Sequence, residues 1–348
     1  MNALENERKD EPSTAGKVIK GITSGVCWLY AASIIGFTIL RTHSPGLPPF
    51  LALINSLTPF LFVPLPVVFL LARIARSKCA LIAGSIVLIV FVGLYGALFL
   101  PRLGKPARET HQELRVMTFN LGLNLSQPEE IAAIIEAQDA DIVAVQEMTA
   151  DMAQLFGKEL GSIYPYTVLH PGETTGLFSR YRILEQKWIA PVEGGRSYIR
   201  AVVEWNSETV NVFVVHPLPP GLEWYRDTVI PIGLHDTGPQ KQIEEVTRQA
   251  ASEDGLVLIV GDFNLGDHAP GYTIIAEEFT DAYREAGWGF GFTFPKGLRV
   301  SGTPVPGPFT RIDYIFHSRD LCTNWARVGC EGTSDHCYVL AQLARKDP

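Results

Sequence analysis

The sequence predicts a mixed α/β domain, layered as a sandwich, behind three apolar helices. Stretches without Asp, Glu, Lys or Arg occupy residues 21–40, 44–72 and 79–101, and a bilayer crossing needs about 20 such residues. From residue 113 onward, strand patterns alternate with helical ones, but several strands follow one another directly. That favours hairpins and a layered sandwich over a doubly wound parallel sheet. Charge divides at the same place. Residues 113–348 hold 18 Lys and Arg against 32 Asp and Glu, a net of −14, whereas residues 1–112 carry +6.

Residues 1–18 are polar and are expected to be a disordered tail. Transmembrane helices are expected at about 21–40, 49–72 and 79–101. A signal peptide followed by core helices is the competing reading. Some 20 polar residues precede the first run, and three runs lie in tandem without a small-residue cleavage site, which argues against it. Arg8, Lys9, Lys17 and Lys20 precede the first run, and Arg73, Arg76 and Lys78 lie between the second and third. Arg41, Arg102, Lys105 and Arg108 lie in the alternate segments. The excess predicts an integral protein of the plasma (inner) membrane, with the N-terminus inside and the C-terminal domain extracytoplasmic. Pro59, Pro64 and Pro66 leave open a kinked or re-entrant second helix. If that helix does not cross, the sidedness reverses.

Residues 102–112 read as a linker and 113–348 as the C-terminal domain. LRVMTF reads as a strand, PEEIAAIIEA as a helix opened by Pro128 with acids in its first turn, and DIVAVQ as a buried strand. TGLFS, ILEQKWIA, YIRAVVEW and VNVFVVH continue as strands, QKQIEEVTRQAA as a helix, and GLVLIVG, RIDYIF and CYVLAQLA as strands. Residues 216–240 show no period and are rich in Pro, Gly and aromatics. There Trp224 and Tyr225 are open to three readings: a substrate lip, a membrane contact or packing. An extracytoplasmic domain would allow Cys322 and Cys330 to pair, leaving Cys337 over.

Polar residues recur where strand patterns end: Asn120, Glu147, His216, Asp262 with Asn264, Asp313, and Asp335 with His336. Each alone reads as a cap or turn. Together, at equivalent strand ends, they can converge on one rim of a sheet. In LIVGDFNLG, residues two apart in extended chain point the same way, so Asp262 and Asn264 can face one ligand while Phe263 turns into the core. The oxygen-rich inventory suits Mg²⁺, with Mn²⁺ as the alternative. Zinc is disfavoured because no HExxH or CxxC pairing is present.

The ordered set TFN, QE, SR, HPLP, GDFN, RIDYIF and SDH resembles the endonuclease/exonuclease/phosphatase superfamily, the DNase I-like fold, over residues 113–343. The resemblance implies a four-layer α/β/β/α sandwich and a metal-dependent phosphoester hydrolase. It implies metal binding by Glu147 with Asn120 beside it and Asp335 as a further carboxylate. Asp262 is implied to orient or deprotonate the attacking water, and Asn264 to steady phosphate and water. His336 is implied to face the phosphate, held by Asp313, and His216 matches the second histidine of the DNase I and sphingomyelinase branches. Arg200 is a candidate phosphate fork or a surface strand charge, and Glu173 a candidate to orient His216. Repair-enzyme members carry an acid two residues after the first Asn, where this chain has Gly122.

The leading expectation is a membrane-embedded, Mg²⁺-dependent phosphodiesterase whose phosphoester substrate is a lipid head group or another envelope diester. A tethered DNA or RNA nuclease is the alternative, although a domain of net −14 opposes binding through Lys and Arg contacts to phosphate backbones. A phosphomonoesterase and a non-enzymatic interaction module remain further readings. The sequence points to no protein partner.

Overall fold

The computed structural model describes residues 14–44, 46–100, 113–122, 127–169, 174–190, 192–226, 231–300 and 303–346. Two compact units form. One comprises the chain up to residue 44 with 57–97; the other comprises 46–56 and the chain from Leu98 onward.

The first unit contains α1 (Thr14–His43), α3 (Leu65–Ile74) and α4 (Lys78–Tyr95), α2 (Pro49–Ser56) belonging to the second unit. α3 runs antiparallel to both neighbours. Along α1, Arg41 reaches Thr58, Tyr30 bonds the Leu61 carbonyl, and Ser24 meets Ser77 at 2.7 Å. Along α4, Phe62 stacks near Phe91 and Tyr95, and Gly84 lies against Val68 and Phe69. Small residues at the contacts, including Ala31, Ala72, Ala80 and Ala83, are fully buried, while Ile22, Leu29 and Ile89 face outward. This inversion suits a lipid-facing bundle. Thr14–His43 and Lys78–Phe99 are long and apolar enough to cross a membrane.

The expected second span, 49–72, is not one helix. It breaks into α2, a 3₁₀ turn Thr58–Phe62 and α3, and reaches the length of a span only if the bent pair is counted together. Pro59, Pro64 and Pro66 supply the reason, since each lacks the N–H that would continue a helical ladder. The expected tail also shortens, because α1 is already helical at Thr14; residues 1–13 and the linker 102–112 lie outside the described residues.

The second unit is the expected sandwich. In chain order its elements are β1 (Glu113–Asn120), α5 (Pro128–Gln138), β2 (Ile142–Gln146), α6 (Ala150–Glu159), β3 (Tyr166–Val168), β4 (Gly176–Ser179), β5 (Ile183–Ile189), β6 (Tyr198–Trp205) and β7 (Glu208–Val215). There follow β8 (Gly221–Trp224), β9 (Pro231–His235), α7 (Thr237–Ala250), β10 (Leu256–Asp262), α8 (Pro270–Glu278), β11 (Thr280–Asp281) and α9 (Ala282–Ala286). The last are β12 (Arg299–Val300), β13 (Thr303–Pro304), β14 (Asp313–His317), β15 (Leu321–Gly329) and β16 (Tyr338–Arg345).

One sheet has the order β15-β16-β1-β2-β4-β3 and the other β11-β14-β10-β7-β6-β5. Alternation along the strands builds three apolar layers. Val116, Ala144, Val212, Leu258 and Val260 belong to the layer between the sheets. Met117, Phe119 and Val143 pack under Ile131 and Ile135 of α5 and Met152 and Phe156 of α6. Phe213 and Ile259 pack under Ile243 and Val246 of α7 and Ile275 of α8. The order of layers is helix, sheet, sheet, helix.

Two departures from expectation concern the C-terminal strands. LCTNWARVG forms the edge strand β15, whose mixed side chains and bulge between Thr323 and Trp325 hide a strand period. The disulfide is Cys330–Cys337, not Cys322–Cys330. β15 explains this: Cys322 and Cys330 sit at opposite ends of an extended run, some 25 Å apart at about 3.3 Å per residue. The return into β16 brings Cys337 to a Cα separation of 4.3 Å from Cys330.

Candidate active site

The registers place the polar strand ends on one rim. Asn120 ends β1 opposite Gln146 of parallel β2, and antiparallel β16 pairs Val339 with Thr118, which brings His336 toward Asn120. In the other sheet, Asp262 is directly opposite Asp313. β7 runs parallel to β10 and ends beside it. Gly261 permits their close approach: a Cβ there would collide with the Val215 carbonyl, so His216 can follow immediately beside Asp262.

Asp262 is the centre of the arrangement. It is 1% exposed, its Oδ2 accepts from Asn120 Nδ2 at 2.9 Å, and its Oδ1 accepts from the Asn264 backbone N–H at 2.8 Å. Burial and the neighbouring Asp313 charge raise its pKa. Two histidines face it, with His216 Nε2 at 3.6 Å and His336 Nε2 at 3.9 Å from Oδ2. Glu147 Oε1 lies 3.7 Å from the same atom of His216.

The two imidazoles are driven in opposite directions. Burial, with help from the cations Arg196 and His336, lowers His216 to about 4 despite Asp262. Burial also opposes the charge on His336, but Asp313, Asp262 and Asp335 outweigh it and raise the pKa to about 9. Asp313 Oδ2 is 3.0 Å from His336 Nδ1, which fixes that nitrogen as the N–H donor. Near neutral pH, His216 is neutral and His336 cationic.

The loop carrying Ser334, Asp335 and His336 is closed by Cys330–Cys337. Ser334 Oγ donates to the Asn120 carbonyl at 2.7 Å and accepts from the His336 N–H at 3.0 Å. Lys296 donates its backbone N–H to the Asp335 carbonyl at 2.6 Å. Gly122 explains the missing acid after Asn120. Its φ is +72°, and a Cβ there would come within 2.7 Å of Asp335 Oδ1, so Asp335 occupies space that a side chain at 122 would need.

Not every expected residue comes to this rim as foreseen. Arg200 points to the helix-covered face of its sheet, where Glu253 binds Nε and Nη2 at 2.5 and 2.6 Å and Asn211 accepts from Nη2 at 3.0 Å. The phosphate-fork reading of Arg200 is thereby corrected; strand alternation turns it away from Asp262. The basic group at the site is Arg196, four residues earlier. Its Nη1 lies 2.7 Å from His216 Nε2 and 3.5 Å from the Pro217 carbonyl, and its backbone N–H bonds Gln242 of α7 at 2.9 Å. Sequence reasoning passed over it because Arg196 sits in a loop just before β6. Phe263 enters the core as expected, but the chain turns at Asn264, φ +52°, and its Nδ2 donates to the Pro217 carbonyl at 3.0 Å. Asn264 therefore ties Asp262 to the loop after β7. Glu173 lies outside the described residues.

The donor set suits a hard cation. Asp262, Asp313 and His336 offer ligand atoms within 4.8 Å of one another. His336 is a poor ligand there, because its Nδ1 is spent on Asp313 and the ring is cationic. The carboxylates are better suited: among the described residues, the buried Oδ1 atoms of Asp313 and Asp335 have no hydrogen-bond donor. Glu147 holds its place with φ +57°, an uncommon conformation for a residue with a side chain.

The model of the Endonuclease/Exonuclease/phosphatase family matches residues 117–336. None of the curated proteins compared with the chain matches it. Similar solved structures include D. rerio TDP2 complexed with a single-strand DNA product, at 20% identity and TM-score 0.53 over 66% of this chain and 98% of that one. The endonuclease/exonuclease/phosphatase from Bacteroides vulgatus is 18% identical, with TM-score 0.52 over 67% of this chain and 99% of that one. At such identities the likeness is one of fold.

Proposed function

This chain belongs to the endonuclease/exonuclease/phosphatase family, and from that premise we propose that it is a membrane-anchored, divalent-metal-dependent phosphodiesterase. The observation that carries the reading is the pair of histidines, one neutral and one cationic, facing the carboxylate of Asp262 across the ends of the two sheets.

In-line hydrolysis needs a base for water and positive charge around the phosphorus. Asp262 is suited to the first task, because its raised pKa makes it a stronger base than an ordinary carboxylate and two N–H donors hold its orientation. His336, kept protonated by Asp313, donates to a phosphoryl oxygen as charge builds there. Arg196 adds a fixed cation, and neutral His216 orients its guanidinium. Glu147, with Asn120 and Asp335, would hold Mg²⁺ or Mn²⁺, which supplies further charge neutralisation and activates the leaving oxygen.

With the bent segment ending at Ile74 counted as the second of three crossings, an extracytoplasmic position agrees with the basic residues flanking the spans and with a disulfide at the site's loop. The chain from Leu98 onward follows directly on an apolar helix, so lipid head-group diesters are the favoured substrates. The test is turnover by the full chain in detergent, with Mg²⁺ or with EDTA. Sphingomyelin, phosphatidyl lipids, single- and double-stranded DNA and inositol phosphates would be offered side by side. Metal-dependent release from a lipid diester is expected. Turnover of DNA alone would replace the reading with a tethered nuclease, and no turnover by folded protein would leave an interaction module.

A further inference from the structure

Residues 216–240 hold the β8–β9 ribbon, whose two faces differ. Across the ribbon, Leu222 pairs with Leu234 and Glu223 with Gly233, with a bulge before Trp224. On one face Glu223 and His235, each about half exposed, bond at 2.6 Å, and α2 packs beside them at Gly233, where Pro49 Cβ lies 2.9 Å from the position of a Cβ. The other face is apolar and open: Leu222 is 41% exposed and Trp224 48%, with Ile232 across the ribbon from them, and Tyr225 follows exposed at the strand's end. On α2, Phe50 is 60% exposed. Apolar side chains gathered on one side of a short ribbon mark an interaction surface.

We infer that this ribbon face and α2 form a bilayer-docking surface of the catalytic unit, with Trp224 and Tyr225 seated at the level of the lipid head groups. The occupant follows from the chain itself. α2 has eight residues, about 12 Å of helix, and only Leu57 separates it from the apolar segment Thr58–Ile74. A bilayer entered by that segment lies within reach of the ribbon. Trp and Tyr are the residues that favour the membrane–water boundary, and Arg226, over the Tyr225 ring at 5.2 Å, supplies a cation for lipid phosphate.

The surface also bears on the active site. Buried Asn55 of α2 donates to the His268 carbonyl at 2.7 Å, four residues beyond Asn264. β8 begins four residues after Pro217, whose carbonyl binds Asn264. Both docking elements thus continue into the loops that hold Asp262 and His216, so a head-group diester is presented where those residues converge. This part rests on the proposed lipid phosphodiesterase; the docking itself rests only on the chain entering a membrane.

The test uses the full chain in phosphatidylcholine nanodiscs, made with ordinary or brominated acyl chains, and compares tryptophan emission of the wild type with that of Trp224→Phe. Bromine quenches at short range, so the emission contributed by Trp224 is expected to fall at least twofold in the brominated discs. The catalytically silenced Asp262→Ala protein is expected to show the same fall. Trp28, in α1, is the internal reference. Quenching of the Trp224→Phe protein without any quenching of the Trp224 contribution overturns the docking surface. Absence of quenching in both proteins overturns membrane entry, and the docking surface with it.

Discussion

Asn120 Nδ2 donates to Asp262 Oδ2 at 2.9 Å, joining the last residue of β1 in one sheet to the last residue of β10 in the other. This contact spans 142 positions of sequence and fixes the Asp262 carboxylate in the rim between the sheets. With Oδ1 held by the Asn264 N–H, Asp262 has one orientation toward both histidines.

Asp262→Ala should therefore lower kcat by roughly 10²- to 10⁴-fold, the range for a positioned acid or base. Asn120→Ala leaves the carboxylate present but unheld, and should lower kcat by about 10- to 100-fold. Single-turnover rates on the same substrate check both. An Asp262→Ala rate near that of wild type, in protein with unchanged circular dichroism, would remove Asp262 from the mechanism.

The rate should fall on the acid side as Asp262, whose pKa is raised, and His216, at about 4, take up protons, and on the alkaline side through about pH 9, where His336 loses its own. His336→Gln should abolish the alkaline limb rather than shift it. Stability should move with it. The folded-state pKa of His336 lies above the ordinary 6.5, so its stabilisation is complete below about pH 6.5 and is lost as pH rises through about 9. The change is on the order of 3 kcal/mol, and urea titrations at pH 6 and 10 on wild type and His336→Gln measure it.

Chelation provides an independent check on the carboxylates. EDTA should abolish turnover and Mg²⁺ restore it. Millimolar Mg²⁺ should also raise the Tm, since a ligand bound only by the folded state stabilises it. Glu147→Gln should lose most of that rise. An unchanged Mg²⁺-induced rise in Glu147→Gln would place the ion elsewhere.

The two arginines separate binding from folding. Arg196→Ala removes the cation beside His216 and should lower kcat/KM by about 10- to 100-fold with little change in Tm. Arg200→Ala breaks a partly buried ion pair with Glu253 and should destabilise by about 2 kcal/mol while leaving kcat/KM nearly unchanged. Steady-state kinetics together with urea unfolding distinguish these outcomes. The reverse pattern would restore Arg200 to the site.

Much of this protein is local in origin and so legible in one dimension. Buried strands such as LVLIVGD and amphipathic helices such as α7 declare themselves by period, and absence of charge declares the apolar helices. The polar residues at strand ends were legible for the same reason, because each marks where a buried run stops.

Partnership was decided only by the tertiary structure. Cys330 chose Cys337 because an antiparallel return set them side by side, and α2 left the expected second span because three prolines interrupt the helix that would have carried it. Arg196 rather than Arg200 reached His216 because alternation along β6 turns Arg200 under the helices. Asp262 and Asn264, read as two residues facing one ligand, became a buried carboxylate and the tether that aims it once the chain turned at Asn264. Sequence determines what each strand end offers chemically, whereas distance and direction between strand ends arise from register and sheet packing, which no single segment encodes.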